Sequence, residues 1–312
     1  MAQWKSTSKK RRRNAAGKAG SLATTALAPA RRDSAGRLHL LLHRAPNGQA
    51  HVSLASPLFQ DHWQNDVALS VANSALSALQ GGTEQRAVIG LARMAMDATS
   101  QLADGFLAQA EEGSVACKAG CDHCCYQSVG VTTAEALTIV DYLRQTRSEE
   151  QLKQLAQHLR VTRERTRGLT ADQRYAPEFP CPFLIEAQCS IYPVRPLSCR
   201  GMNALDAAEC RSYLHDPDAR AAFLESGVGV SSFMEPIRAF HAVSAGLQLG
   251  LSELYGLDMR PLDLTAAIHE LLRAATSVVS AWLAGESPLE CARGGDSTAD
   301  VATQRTSGVL RR

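Results

Sequence analysis

Four thiols fall within nine residues in Cys117-Lys-Ala-Gly-Cys121-Asp-His-Cys124-Cys125. Three more, Cys181, Cys189 and Cys199, follow in the stretch CPFLIEAQCSIYPVRPLSCR, so seven of the nine cysteines lie between residues 117 and 199. Thiols crowd in this way for few reasons. Disulfides need an oxidising compartment, whereas reduced thiols persist as buried hydrophobes, catalytic groups or metal ligands. The N-terminus has no apolar secretory core, which points to a cytoplasmic protein and to thiols that stay reduced. A C-x3-C-x2-C loop can curl until several sulfurs face one centre, and Gly120 permits the tight turn this needs. Metal or iron-sulfur binding is therefore favoured over disulfides and over scattered core cysteines.

Spacing alone leaves the metal open. Cys121 and Cys124 have the C-x2-C spacing of a tetrahedral zinc site, and a [4Fe–4S] cluster would also be satisfied by three close thiols plus one from residues 181–199. The candidate ligands are Cys117, Cys121, Cys124, Cys125, Cys181, Cys189 and Cys199, more thiols than one site of either kind consumes. His123 stands between ligands, either as a replacement donor or as a solvent-facing spacer. Arg195 and Arg200 flank the last thiol. They could offset thiolate charge, pair with Glu178, Glu186 or Asp206, or bind an anionic substrate. Cys210 either faces the site or is core, with core favoured, and Cys291 is disfavoured as a ligand.

The elements that must hold these loops read as helical. Apolar residues make up 45% of the 312 and aromatics only 5%, with alanine and leucine abundant, a composition that favours helix over sheet. No apolar run approaches the ~18 residues of a membrane span. Helices are expected from Asp66 to the Gly81-Gly82 break and from about 83 to 110, the second delivering the chain to Cys117. Thr132 and Glu135 have capping-box spacing ahead of the stripe Ala136, Ile139, Val140 and Leu143. A charged helix follows over SEEQLKQLAQHLRVTRERTRG. Prolines at 177, 180, 182, 193 and 196 predict an ordered, extended loop across residues 176–199. A short helix from Asp206, a strong one over 235–255 closed by Gly256, and another over 264–283 complete the scaffold.

The ends differ from this body. Residues 1–32 carry nine Lys or Arg and no acid, so a net charge of +2 leaves −7 on the remainder. Residues 1–35 read as a disordered basic tail. Nucleic acid is disfavoured as a partner, because no stacking aromatics or base-reading helix accompany the charge. Residues 36–62 read as a small hairpin and linker, with Leu38, Leu40 and Leu42 alternating ahead of the turn signal Pro46-Asn-Gly48. Such a hairpin must lean on the body to be stable. The helical cysteine-cluster domain spans 63–285, and residues 286–312 read as a second disordered tail.

CKAGCDHCCYQSVGVTTAE followed by CPFLIEAQCSIYPVRPLSCRGM resembles the YkgJ-like cysteine-cluster family, the zinc- or iron-chelating CxxCxxCC domain. The resemblance covers about residues 113–212. The CC pair matches Cys124 and Cys125, the acidic helix residue matches Glu135, and the CxxYxxRPxxCR signature matches Cys189, Tyr192, Arg195, Pro196, Cys199 and Arg200. The chain departs from the pattern between Cys117 and Cys121, which have three residues between them rather than two.

The resemblance implies metal binding with no assigned reaction. A related family with a similar cysteine motif includes flagellin lysine N-methylase, which implies an alternative: an iron-sulfur-dependent modifying enzyme. Cys117-x3-Cys121-x2-Cys124 also matches by count the triad of radical methyl-donor enzymes, but no preceding strand or repeated β/α pattern supports that fold. The sequence therefore predicts a mainly α, single helical domain with irregular cysteine-rich loops, a small N-terminal β-hairpin and a bound zinc ion or iron-sulfur cluster.

Overall fold

A computed structural model describes residues 25–26, 39–111, 113–118, 120–226, 229–274 and 276–293. The rest of the basic leader and residues 294–312 lie outside the described residues. The fold is mainly α, and the strands among the described residues are short and form one three-stranded and two two-stranded sheets.

A three-stranded antiparallel sheet opens the chain: β1 (Thr25–Ala26), β2 (Leu40–Arg44) and β3 (Ala50–Leu54). The β2–β3 hairpin pairs Leu42 with Val52 and His43 with His51 around the expected Asn47-Gly48 turn, where Gly48 has φ +84°. The short strand β1 was not anticipated within the basic leader. As the marginal stability of a lone hairpin requires, β2 and β3 lean on the helices. Leu40 and Val52 are buried against Ala72. Leu40 N donates to Glu253 Oε2 at 3.0 Å, and Asn73 receives Val52 N at 2.8 Å while donating to Val52 O.

Two long helices follow, α1 (His62–Ala78) and α2 (Gln85–Leu107). After them, α3 (Thr133–Thr146) begins with the predicted capping box, in which Glu135 N donates to Thr132 Oγ1 and Thr132 N donates to Glu135 Oε2. The charged helix α4 (Glu149–Thr166) starts from a second capping box at Ser148, and α5 (Ala171–Arg174) from a third at Thr170. Then come α6 (Leu197–Gly201), α7 (Ala207–His215), α8 (Pro217–Ser226), α9 (Met234–Tyr255), α10 (Leu264–Arg273) and α11 (Thr276–Leu283). Between the helices, β4 (Gly130–Val131) pairs with β7 (Leu262–Asp263), and β5 (Leu184–Ile185) with β6 (Gln188–Cys189).

The core is organised on α9. Its small-residue face lies so close to α1 that a Cβ on Gly246 would come within 2.3 Å of Ala68 O and 2.8 Å of Val71 Cβ. From there the apolar interior extends through α2 to α3, and α10 packs against α3 and α4. Met96 is fully buried in this interior, filling the core.

Two expectations change. The apolar stretch 264–283 is not one helix: α10 ends at Arg273, Ala274 is extended, with ψ 138°, and α11 starts at Thr276. Trp282, 1% exposed, lies in the core and donates its indole N–H to Asp258 O at 2.8 Å. The packed body also continues past 285. Leu289 and Ala292 are buried, and Arg293 pairs with Asp258 while Arg260 pairs with Glu290. These anchors join residues far apart in sequence, so the polar composition of 286–293 concealed them.

Candidate metal centre

The first cysteine loop leaves α2 and is pinned at its entrance by Ala116 N, which donates to Ala204 O at 2.8 Å. Gly120 adopts φ +85°, the left-handed turn that C-x3-C was expected to need. A short 3-10 turn, η1 (His123–Tyr126), then carries Cys124 and Cys125. Tyr175, just after α5, donates its hydroxyl to His123 O at 3.0 Å and so ties the loop to the next segment.

The second loop is more structured than the extended ribbon that its prolines suggested. Cys181 N donates to Cys125 O at 2.6 Å, joining the two loops directly. Cys189 closes the β5–β6 hairpin, whose turn residues Glu186 and Ala187 both have positive φ, 50° and 59°. Primed turns of this kind favour Asn or Gly, so two side-chain-bearing residues there store local strain next to a thiol. A 3-10 turn, η2 (Tyr192–Val194), follows, and Cys199 then lies on α6 rather than in loop. Proline was compatible with this because Pro196 precedes the first helical residue, where its missing N–H costs nothing.

Glu135 positions α6. Its carboxylate, 4% exposed, accepts from Thr132 N, from Thr132 Oγ1 at 2.8 Å and from Leu197 N at 2.9 Å. One acidic side chain thus caps α3 and fixes the start of the helix that bears Cys199. At the other end of α6, a Cβ on Gly201 would meet Phe240 Cβ and Pro236 O at 2.9 Å, so only glycine permits this approach to α9.

The two arginines divide the work. Arg200 donates to Arg195 O, Pro193 O and Ser100 Oγ, which makes it a clamp on the η2 loop. Arg195 lies over the Tyr192 ring at 4.3 Å, and its buried Nε has no hydrogen-bond partner. Its charge acts on Cys124, Cys189 and Cys199, in each case favouring the thiolate. Among the described residues, neither arginine forms an ion pair with Glu178, Glu186 or Asp206. Asp206 instead caps α7 by accepting from Ala208 N, and the Glu178 carbonyl receives Arg165.

Thiols from both loops share one electrostatic neighbourhood. Burial pushes the Cys199 thiol well up, and Cys181, Cys124 and Cys189 push it further. Cys124 is raised chiefly by its hydrogen bond with Cys125, then by burial. Burial raises Cys117 and Cys189, and lifts Cys181 to about 11. Cys210 is also here, not in the core. It is half-buried on α7, and burial together with Cys117, Cys121 and Cys124 raises its thiol to about 11. Cys291 stands apart, exposed, with its carbonyl receiving Arg163. All nine cysteines are free thiols.

The chemistry of this donor set fits a soft or borderline metal such as zinc or iron, and not calcium or magnesium, which take oxygen ligands. The orphaned Arg195 Nε among the thiols fits the same reading, as a donor and cation placed where negative charge would collect. Among the described residues, no three His, Cys, Asp or Glu side chains stand close enough together to hold a metal ion.

Residues 116–222 match the family model described as "CxxCxxCC: Putative zinc- or iron-chelating domain". No curated protein and no solved structure matches the chain. The matched span, residues 116–222, takes in both cysteine loops, Glu135 and the arginine pair, and there the chain is similar to that family.

Proposed function

We propose that the domain binds zinc or iron through cysteine thiolates, as a binding module in a reducing compartment such as the cytoplasm. The observation that carries this reading is the neighbourhood centred on Cys124, which acts on Cys117, Cys189, Cys199 and Cys210, thiols delivered by separate stretches of chain. Hydrophobic packing does not require such a gathering. Each thiolate would repel its neighbours, and a divalent cation is the group that turns this repulsion into cohesion.

In this reading Cys117, Cys121, Cys124, Cys125, Cys181, Cys189 and Cys199 supply the donors. Arg195 offsets their charge, and Glu135 and Arg200 hold the second loop in place. The raised thiol pKa values mean that metal uptake releases protons, so affinity rises with pH. The test is cobalt titration of the reduced protein, which reports thiolate ligation as intense near-ultraviolet charge transfer. Cys124→Ser and Cys199→Ser should reduce that band, and Cys291→Ser should leave it intact. A band of unchanged intensity in both of the first two variants would remove those residues from the site.

A further inference from the structure

Outside the cysteine loops, cations collect around a groove between α4 and the ends of α3 and α10. Arg144 lines it from the last turn of α3, Arg273 from the end of α10, and Lys153 and Arg160 from α4. Glu149 is the acid among the described residues of the lining, so four positive charges stand against one negative, a net +3. The chain beyond residue 32 sums to −7, and the groove therefore reverses the sign of the body around it.

Two of these cations are poised for a ligand. Arg144 donates from Nη2 to Leu271 O at 3.2 Å, which fixes its guanidinium beside the end of α10 and occupies one of its five N–H donors. Arg273 is exposed and makes no hydrogen bond or ion pair among the described residues. A helix C-terminus favours a cation, which accounts for one charge on α3 and one on α10. It does not account for Lys153, in the second turn of α4. Its contact with Glu149 at 3.0 Å joins side chains that are 66% and 85% exposed, a pair that adds little to stability.

The floor of the groove is aliphatic. Leu152 and Ala156 lie at helical spacing on the α4 face that carries Lys153 and Arg160, and Leu272 lines the groove from α10. The cavity is about 460 Å³, within the range of small-ligand sites. No aromatic ring is among its described lining residues, so a nucleobase would have no stacking partner there. Guanidinium groups match phosphate oxygens with paired N–H donors. A phosphate monoester, with a charge of about −2, would offset most of the local +3.

We propose that this groove binds a phosphate monoester on an aliphatic body, with Arg144 and Arg273 on the phosphate and Leu152, Ala156 and Leu272 against the carbon chain. The site is independent of the metal-binding reading and shares none of its residues.

The experiment titrates n-butyl phosphate, inorganic phosphate and n-butanol into the full-length protein with labelled leucine methyls, read by nuclear magnetic resonance. n-Butyl phosphate should shift the Leu152 and Leu272 methyls saturably, less so as salt is raised, and should bind at least ~5-fold tighter than inorganic phosphate. Arg273→Gln should weaken that binding at least ~10-fold with unchanged far-ultraviolet circular dichroism. Equal affinity in this folded variant, equal affinity for inorganic phosphate and the butyl ester, or shifts that spare Leu152 and Leu272 would each overturn the proposal. The same shifts from n-butanol alone would also overturn it, because the cations would then have no part. Sedimentation with phosphatidylcholine vesicles containing phosphatidic acid distinguishes the two sources of this chemistry. Retention that n-butyl phosphate competes away supports a lipid head group, and absence of retention alongside the methyl shifts supports a soluble ester.

Discussion

Replacing Glu135 tests how the second loop is held, because three hydrogen bonds converge on this one buried carboxylate. In Glu135→Ala, the Thr132 and Leu197 N–H groups lose their acceptor in a setting that water does not reach. Each stranded donor costs about 1–3 kcal/mol, and loss of the capping box about 1 kcal/mol, part of which is the same Thr132 donor. Relief of the buried carboxylate offsets some of this, so the expected loss is about 2–4 kcal/mol. Glu135→Gln keeps one acceptor oxygen and should lose about 1–2 kcal/mol.

The assay is urea unfolding of metal-free protein at neutral pH, comparing midpoints at a common slope. Burial raises the Glu135 carboxyl above its ordinary value, against the opposing hydrogen bonds of Thr132 and Leu197 and the Arg200 charge. The folded state therefore takes up this proton at a higher pH than the unfolded chain. Its stabilising effect is full below the ordinary glutamate range and is lost as pH rises through the raised value. The advantage of the natural protein over Glu135→Gln should accordingly widen on acidification. A Glu135→Ala midpoint within ~0.5 kcal/mol of the natural protein would refute the idea that these bonds position α6.

Other perturbations probe separate parts of the structure. Gly246→Ala should destabilise by about 1–3 kcal/mol in a thermal melt, since its Cβ would meet Ala68 O at 2.3 Å, whereas Gly105→Ala, with open space around it, should stabilise by about 0.5–1 kcal/mol. Burial raises the Asp258 carboxyl, but hydrogen bonds from Arg260 and Ser287 and the charge of Arg293 outweigh it and bring it to about 2. The stabilisation from this group, about 1–2 kcal/mol, is present above the ordinary aspartate value and is lost as pH falls towards 2, and Asp258→Asn should abolish that part of the acid profile in equilibrium unfolding. Arg195→Gln should weaken metal binding by about 10–100-fold in competition with a chelator, with little change in metal-free stability. Equal affinity would return Arg195 to a structural role.

Much of this was legible because its causes are local. The capping box at Thr132 needs only residues three apart, and the left-handed turn at Gly120 follows from one residue type. Helix α9, closed by Gly256 at φ +69°, has both periodicity and a stop signal. α8 carried a signal too, since Asp216 caps it and Pro217 occupies its first position, as Asp-Pro often does at a helix start.

The rest depends on residues far apart in the chain. The break after Arg273 has no glycine or proline to announce it, and the helix beyond it carries the buried Trp282. The placement of Cys210 depends on rings at 175 and 213 meeting, and no spacing rule reaches across such a contact. Arg195 and Arg200 looked alike as flanking cations. Only their surroundings separate the clamp on backbone carbonyls from the cation among thiols.

The central claim, that clustered thiols hold zinc or iron, is tested most directly by metal and acid-labile sulfide content, with a visible spectrum, on protein purified without oxygen and without added metal. The account predicts at least one zinc or iron per chain, lowered in Cys199→Ser and unchanged in Cys291→Ser. Iron with sulfide and a brown colour would identify a cluster, and colourless protein with zinc would identify a mononuclear thiolate site. Protein that carries neither metal, and takes up neither after reduction and reconstitution, would contradict it.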